Sequence, residues 1–326
     1  MQLKEVCMDP NSNANYSFMY CPSLPAAILF SVLFGLTTLV HVVQAIRHRK
    51  AFCWVLIMAG AWETAGLVLR VFNVVATTSL AFGLPSQLLI LLAPLWVNAF
   101  LYMLMARFVH FYMPEKKIAG VSARRLSLIF VLLDITAFLM QATGGSMISG
   151  SDPSSALLGI HIYMGGIGLQ EIFVLGFTGL VIRFHVVMKR LTDSGRAAAF
   201  WKWPLYLTYM SLSLITIRII YRLVEFSSGL DSPITEHEAF FYVLDALPML
   251  SVIVAWNAVH PGRVLVGPDS EFPKKIKMSR AQKKAAREAK KQAQSRDLEF
   301  GFGKQAESAT QLMPAAQPLG WSGESV

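Results

Sequence analysis

Eight ionisable residues, Glu63, Arg70, Asp134, Glu171, Arg218, Arg222, Glu225 and Asp245, stand inside stretches otherwise dominated by Leu, Ile, Val, Phe and Ala. Charge in such surroundings is expensive, so these groups must pair with one another or face a polar interior. Their spacing makes two one-sided clusters. Glu63 and Arg70 are seven residues apart and share a helix face. Arg218, Arg222 and Glu225 follow at steps of four and three, again one face. The chemistry open to them is ion pairing or the holding of a charged group. Catalytic motifs do not accompany them. The chain has no Walker-type phosphate loop, no Gly-x-Ser-x-Gly elbow and no His-Glu-x-x-His, and no His/Cys spacing fits a metal site. His41, His161 and His237 read as packing or interface residues. The expectation is a non-enzyme with no cofactor and no metal.

The elements that position these residues are membrane spans. The chain has 326 residues, 54% of them hydrophobic and only 15% charged, against roughly 25% charge in a soluble domain. Apolar runs of about 20 residues suffice to cross a bilayer core. Seven are read, at 24–46, 51–73, 86–112, 126–148, 157–183, 203–225 and 238–259. Between them, basic and uncharged-or-acidic stretches alternate. Residues 47–50, 113–125 and 189–202 carry Lys and Arg; residues 74–85, 149–156 and 226–239 carry none. Lys and Arg collect in cytoplasmic loops, so the N-terminus is expected outside and the C-terminus in the cytosol. The fold class expected is an all-α, polytopic seven-helix membrane protein. Residues 1–23 form an extracellular segment, 24–263 the membrane domain, and 264–326 a basic cytosolic tail, partly helical and then disordered.

Orientation converts sequence position into depth, at about 1.5 Å per residue. Glu63 then lies about 18 Å from the inner face, Arg218 about 22 Å and Asp245 about 20 Å. These three share a level in the outer half, with Arg70, Arg222 and Glu225 just above and Asp134 and Glu171 nearer the inner side. A paired network joining spans 2, 6 and 7, with Glu63 opposite Arg218, and lining a polar intramembrane cavity open to the outer leaflet that would hold the substrate, is the functional expectation; a purely structural ion-pair network is the alternative. Asn98, Asp134, Gln141, Gln170 and Glu171 add polar groups to spans 3, 4 and 5 that either bond between helices or line a path.

Other features complete the reading. Pro94 and Pro248 are expected to kink their spans. Gly144, Gly145, Gly165, Gly166 and Gly168 offer close-packing surfaces. Phe52, Trp54, Phe111, Tyr112, Trp201 and Trp203 mark span ends as an interfacial belt. Asn15 heads a glycosylation sequon on the expected outer side, where Cys7 and Cys21 could also pair. Cys53 reads as packing. Residues 274–291 hold nine Lys/Arg against one acid, Glu288. Contact with anionic inner-leaflet lipid and a simply solvated basic tail are both open readings. The net charge of +9 is placed for a membrane and does not point to nucleic acid.

Several motifs in fixed order carry a resemblance. They are Glu63-x-x-Gly66-x-x-x-Arg70; Leu92-Ala93-Pro94 with Tyr102-Met103 and Arg107; Asp134-x-x-x-Phe138-x-x-Gln141-x-x-Gly144-Gly145; and Gly165-Gly166-x-Gly168-x-Gln170. Arg218-x-x-Tyr221-Arg222-x-x-Glu225 with Gly229, then Glu238, Tyr242, Asp245 and His260-Pro261-Gly262 complete the set. Across residues 20–265 the chain resembles the fungal seven-helix lipid-translocating exporter family (RTA-like). Leu67 departs from it, standing where an aromatic residue is expected. The resemblance implies a plasma-membrane protein, with an endomembrane as the alternative. It also implies export or flipping of lipid-like amphiphiles such as sphingoid bases and sterol-like toxic compounds; one branch of the family is linked to porphyrin movement. Acids such as Glu63 and Asp245 would hold a cationic amine. A seven-helix receptor or lipid/pH sensor has the same topology. Span 3 ends Met105-Ala106-Arg107-Phe108 and span 7 lacks Asn-Pro-x-x-Tyr, unlike common G-protein-coupled receptors.

Overall fold

The computed structural model describes residues 22–48, 50–76, 80–148, 152–195, 201–227, 237–263 and 265, with two isolated positions, Glu288 and Gln292. The sequon at Asn15 and the cysteines Cys7 and Cys21 lie outside the described residues. The chain divides into Met1–Phe272 and Pro273–Val326. In the second unit only Glu288 and Gln292 are described, both helical and exposed.

The first unit is a helical bundle with, among the described residues, seven helices long and apolar enough to cross a membrane. These are α1 (Leu24–His48), α2 (Trp54–Val75), α3 (Leu80–Tyr112), α4 (Ala123–Ile148), α5 (Pro153–Asp193) and α6 (Lys202–Ser227). The seventh is built of α7 (Glu238–Phe241), a π turn (Tyr242–Ala246) and α8 (Leu247–Ala258). Large apolar side chains such as Leu39, Val43, Ile46, Ile172 and Leu175 point outward. In water that surface would be a liability, whereas in hydrocarbon it is the expected exterior.

Helix ends follow local chemistry. Asp152 caps α5, accepting from the Ser155 N–H at 3.0 Å with Pro153 in the first turn. The hydroxyls of Ser155 and Ser154 also donate to it and, with the cap, hold its carboxyl down at about 2. A two-stranded hairpin, β1 (Lys117–Ile118) and β2 (Val121–Ser122), links α3 to α4. Its tip residues Ala119 and Gly120 both have positive φ, 50° and 77°, the turn that matches strand twist.

Three expectations need correction. Helix α5 runs to Asp193, ten residues beyond the expected end of its span. Arg183, Lys189 and Arg190 can mark the end of the hydrocarbon without ending the helix, because Phe184 and Met188 are buried and Phe184 packs on Phe108. Helix α3 starts at Leu80 and takes in Pro85 as well as Pro94. Of the expected aromatic belt, Trp54 and Trp203 are exposed, but Phe52 and Trp201 are core residues. Phe52 stacks on Phe100 and lies under the Arg107 guanidinium at 3.9 Å. Trp201 donates its indole N–H to Thr192 Oγ1 at 3.0 Å.

The glycines separate by position. A Cβ on Gly144 would stand 2.5 Å from the Tyr163 nitrogen and 2.6 Å from the Gly159 carbonyl oxygen, and one on Gly159 would meet the Gly144 carbonyl at 2.8 Å. Gly166 is similarly closed by Ala137 and Gln141, whereas Gly145 and Gly168 have open space. The α4–α5 seam therefore depends on Gly144, Gly159 and Gly166, where backbone meets backbone. Gly144→Leu is expected to separate the helices and cost at least about 1–3 kcal/mol, read as a lowered melting temperature of the detergent-solubilised protein. Gly168→Leu, into open space, should leave that temperature unchanged.

Candidate functional site

The polar interior begins at a proline. Pro94 has no N–H, so the carbonyl of Ile90, four residues earlier in α3, loses its helical partner. The Arg218 side chain of α6 takes that place, Nη2 donating to Ile90 O at 3.1 Å. Close approach here is secured by Gly66 of α2. A Cβ on Gly66 would clash with Ile90 Cγ1 at 2.7 Å, and Ser86 Oγ donates to the Gly66 carbonyl at 2.7 Å.

Arg218 also turns its Nε to Asp245 Oδ1 in an ion pair. Arg222, one turn on, donates through Nη2 to Asp245 Oδ2 at 2.6 Å and through Nη1 to Glu225 Oε2 at 2.9 Å. Tyr221 donates to the other Glu225 oxygen at 3.0 Å. Arg218, Arg222 and Asp245 are all buried. Asp245 reaches both arginines from the π turn, whose hydrogen bond runs from the Leu247 N–H to Tyr242 O. The wide turn lets the chain approach Pro248 without driving its ring into the Leu244 carbonyl, and it displaces Asp245 from regular helical register.

A second pair lies beside the first. Arg70 Nη2 donates to Glu238 Oε1 at 3.0 Å, and Arg70 Nε donates to the Tyr242 hydroxyl at 3.3 Å. Glu238 Oε2 accepts from the Ser23 N–H at 2.5 Å, an anion at the N-terminus of α1 where the helix dipole favours it. The Phe241 ring lies 4.2 Å from the Arg70 guanidinium and 5.9 Å from that of Arg222, so it separates the two like charges.

The expected Glu63–Arg218 pair does not form. Arg218 is occupied by Asp245 and Ile90. Glu63 is 1% exposed, its Oε1 has no partner, and its carboxyl makes no hydrogen bond or ion pair among the described residues. It nevertheless lies within electrostatic reach of Arg218, Arg222 and Asp245. Glu238, the first residue of its span, is not among the residues that the cost of burying charge singles out in the sequence. The available signal was its seven-residue spacing from Asp245, the same interval that puts Glu63 and Arg70 on one face.

The remaining candidates lie elsewhere as bonds between neighbouring helices. Asp134 Oδ2 of α4 accepts from Asn98 Nδ2 at 3.0 Å and the Tyr102 hydroxyl at 2.9 Å, both on α3. Gln141 of α4 donates to Gln170 of α5 at 2.8 Å, and Glu171 of α5 accepts from Thr216 of α6 at 3.0 Å. The structure therefore does not gather all the candidates into one site. It unites Arg218, Arg222, Glu225 and Asp245, sets Arg70 and Glu63 near them, and distributes Asp134, Gln141, Gln170 and Glu171 along the α3–α6 seams. His41, buried, bonds the Ile253 carbonyl at 2.9 Å, which agrees with an interface role. No group of three metal-binding side chains occurs among the described residues.

The bundle and its buried charges define a polytopic helical membrane protein. The chain belongs to the RTA1-like protein family, whose model matches residues 56–267. It is 44% identical to the probable lipid transporter atnI of Emericella nidulans, over 78% of this chain and 70% of that protein. It is 30% identical to protoporphyrin uptake protein 1 of Saccharomyces cerevisiae, over 74% of this chain and 90% of that one. With the sphingoid long-chain base transporter RSB1 of the same yeast it shares 24% identity over 81% of this chain and 78% of that one. No solved structure matches.

Two expectations follow from this geometry. Asp245→Asn leaves Arg218 and Arg222 uncompensated and should cost about 3–5 kcal/mol of stability, measured by thermal or denaturant unfolding in detergent. Pro94→Ala restores a donor for Ile90 O, so Arg218→Met should be less damaging in that background. A double-mutant cycle should return a coupling of about 1 kcal/mol or more between positions 94 and 218.

Proposed function

We propose that the protein is a membrane transporter of lipid-like amphiphiles, and that the charged groups of α2, α6 and the seventh helix form its polar path. The observation that carries the reading is the buried Arg218–Asp245–Arg222–Glu225 chain with Glu63 beside it, in spans that carry no catalytic motif. The named relatives support it from a separate direction, since two are lipid or sphingoid-base transporters and a third takes up protoporphyrin.

A sphingoid base suits such a path. Its cationic amine requires an acid within the membrane, and its hydrocarbon tail can stay in lipid. Glu63 and Asp245 are the acids at the right level, and Asp245 is already engaged by two arginines. The N-terminus lies outside and the C-terminus in the cytosol on this reading, supported by the basic loops after α1, α3 and α5. The plasma membrane is the compartment favoured, and the basic tail meets anionic inner-leaflet lipid.

Purified protein reconstituted in phosphatidylcholine vesicles should move a fluorescent sphingosine analogue between leaflets faster than protein-free vesicles do. Glu63→Gln should slow that movement about tenfold or more, equivalent to losing about 1.4 kcal/mol of head-group stabilisation. Saturable binding with no movement would instead identify a seven-helix sensor.

A further inference from the structure

Among the described residues the charges around the site do not balance. Three arginines, Arg70, Arg218 and Arg222, face four acids, Glu63, Glu225, Glu238 and Asp245. Arg70 is matched with Glu238, and Arg218 and Arg222 are matched with Asp245 and Glu225. Glu63 is the surplus acid. It is as deeply buried as Asp245, and its Oε1 has no donor. The charged groups within its reach are Arg218 and Arg222 of α6 and Asp245 of the π turn; α1 and α3, which also pack on α2, supply none. A carboxylate shut away from water with no cation of its own must take up a proton or a foreign cation.

On the transporter reading, which this step extends, we infer that Glu63 is an exchange site at which a proton and a cationic amphiphile head group replace each other. With no ligand the carboxyl carries its proton. When an ammonium head group arrives, the Glu63 O–H bond breaks, the proton leaves to water, and the carboxylate pairs with the ammonium. Reprotonation on the other side releases the amphiphile. One cation moves one way for one proton moved the other, and the site holds the same charge in both states. The exchange is therefore electroneutral, driven by a pH difference and indifferent to membrane potential. The Arg218–Asp245–Arg222 chain, whose members are already paired, sets the field around Glu63.

The test uses N,N,N-trimethylsphingosine, whose permanent charge prevents leakage as a neutral amine. In vesicles carrying the full chain, the probe should accumulate on the acidic side. Its ratio across the membrane should approach about ten for a gradient of about one pH unit, the limit set by one-for-one exchange. Clamping the potential with valinomycin and potassium should not alter that ratio. Binding of the probe to solubilised protein in weak buffer should release about one proton per ligand. Glu63→Gln should abolish both the proton release and the pH-driven ratio. Glu63→Asp should retain both and shift their pH dependence, which keeps the proposal testable if the Gln variant does not fold. Movement that follows the potential, no proton release by the wild type, or a Gln variant that still follows the pH gradient would each overturn the exchange while leaving the transporter reading intact. No movement by the wild type under any gradient would overturn the transporter reading itself.

Discussion

Asp245 stands between two arginines on a helix that would otherwise have no reason to tolerate either. Removing three charges from water costs several kcal/mol each, and only close mutual pairing recovers it at membrane depth. That requirement fixes the rest. Asp245 must reach both Arg218 and Arg222, so α6 presents them one turn apart, and the seventh helix opens into a π turn that displaces the acid from regular register. Arg218 has donors to spare, and it uses one on the Ile90 carbonyl that Pro94 leaves bare. A helix-breaking residue on α3 and a buried cation on α6 are thus two halves of one arrangement. Gly66 and Ser86 bring α2 and α3 close enough for the groups to meet.

The two ends of the bundle differ in the bonds they use. Toward the basic loops, α1 and α8 are joined by neutral side chains on backbone carbonyls: His41 on Ile253, Gln44 on Asn257 and Asn257 on Thr37. Trp256 ties α8 to Ser211 of α6 at 3.0 Å. Such bonds need specific partners and do not respond to a charged solute. Toward the other end, α2 and α6 are held to Glu238 and Asp245 of the seventh span by ion pairs, which a competing charge can loosen. The difference gives the bundle a fixed base and an end whose contacts depend on the charge present.

Much of this was legible in the sequence because lipid restricts the options. Only helices satisfy their own backbone in hydrocarbon, so apolar run length yielded seven spans. Depth arithmetic then aligned Glu63, Arg218 and Asp245 at one level, and the structure keeps Glu63 within reach of the other two. What level cannot supply is rotation about each helix axis and departures from regular helix. The pairing of Arg218 with Asp245 in place of Glu63 depends on both, since it turns on the Ile90 carbonyl that Pro94 leaves bare and on the π turn. Glu238 opens its span, where a charge looks like surface, yet it pairs with Arg70. Phe52 and Trp201 depart from the expected belt for a related reason. Span ends are also where helices pack on connecting segments, so an aromatic there can face inward as readily as outward.

Asp134 shows why the absence of a cation does not by itself make an acid unusual. It too is buried without an arginine, yet Asn98 and Tyr102 both donate to one of its oxygens. A carboxyl that accepts two neutral donors has a place as a tether between α3 and α4. Glu63 accepts none. It lies against two arginines that are already committed to other acids, at a level where every neighbouring charge is matched. The contrast between the two acids is one of donors, not of depth. It separates a residue that two donors of the fold already hold from one that none holds.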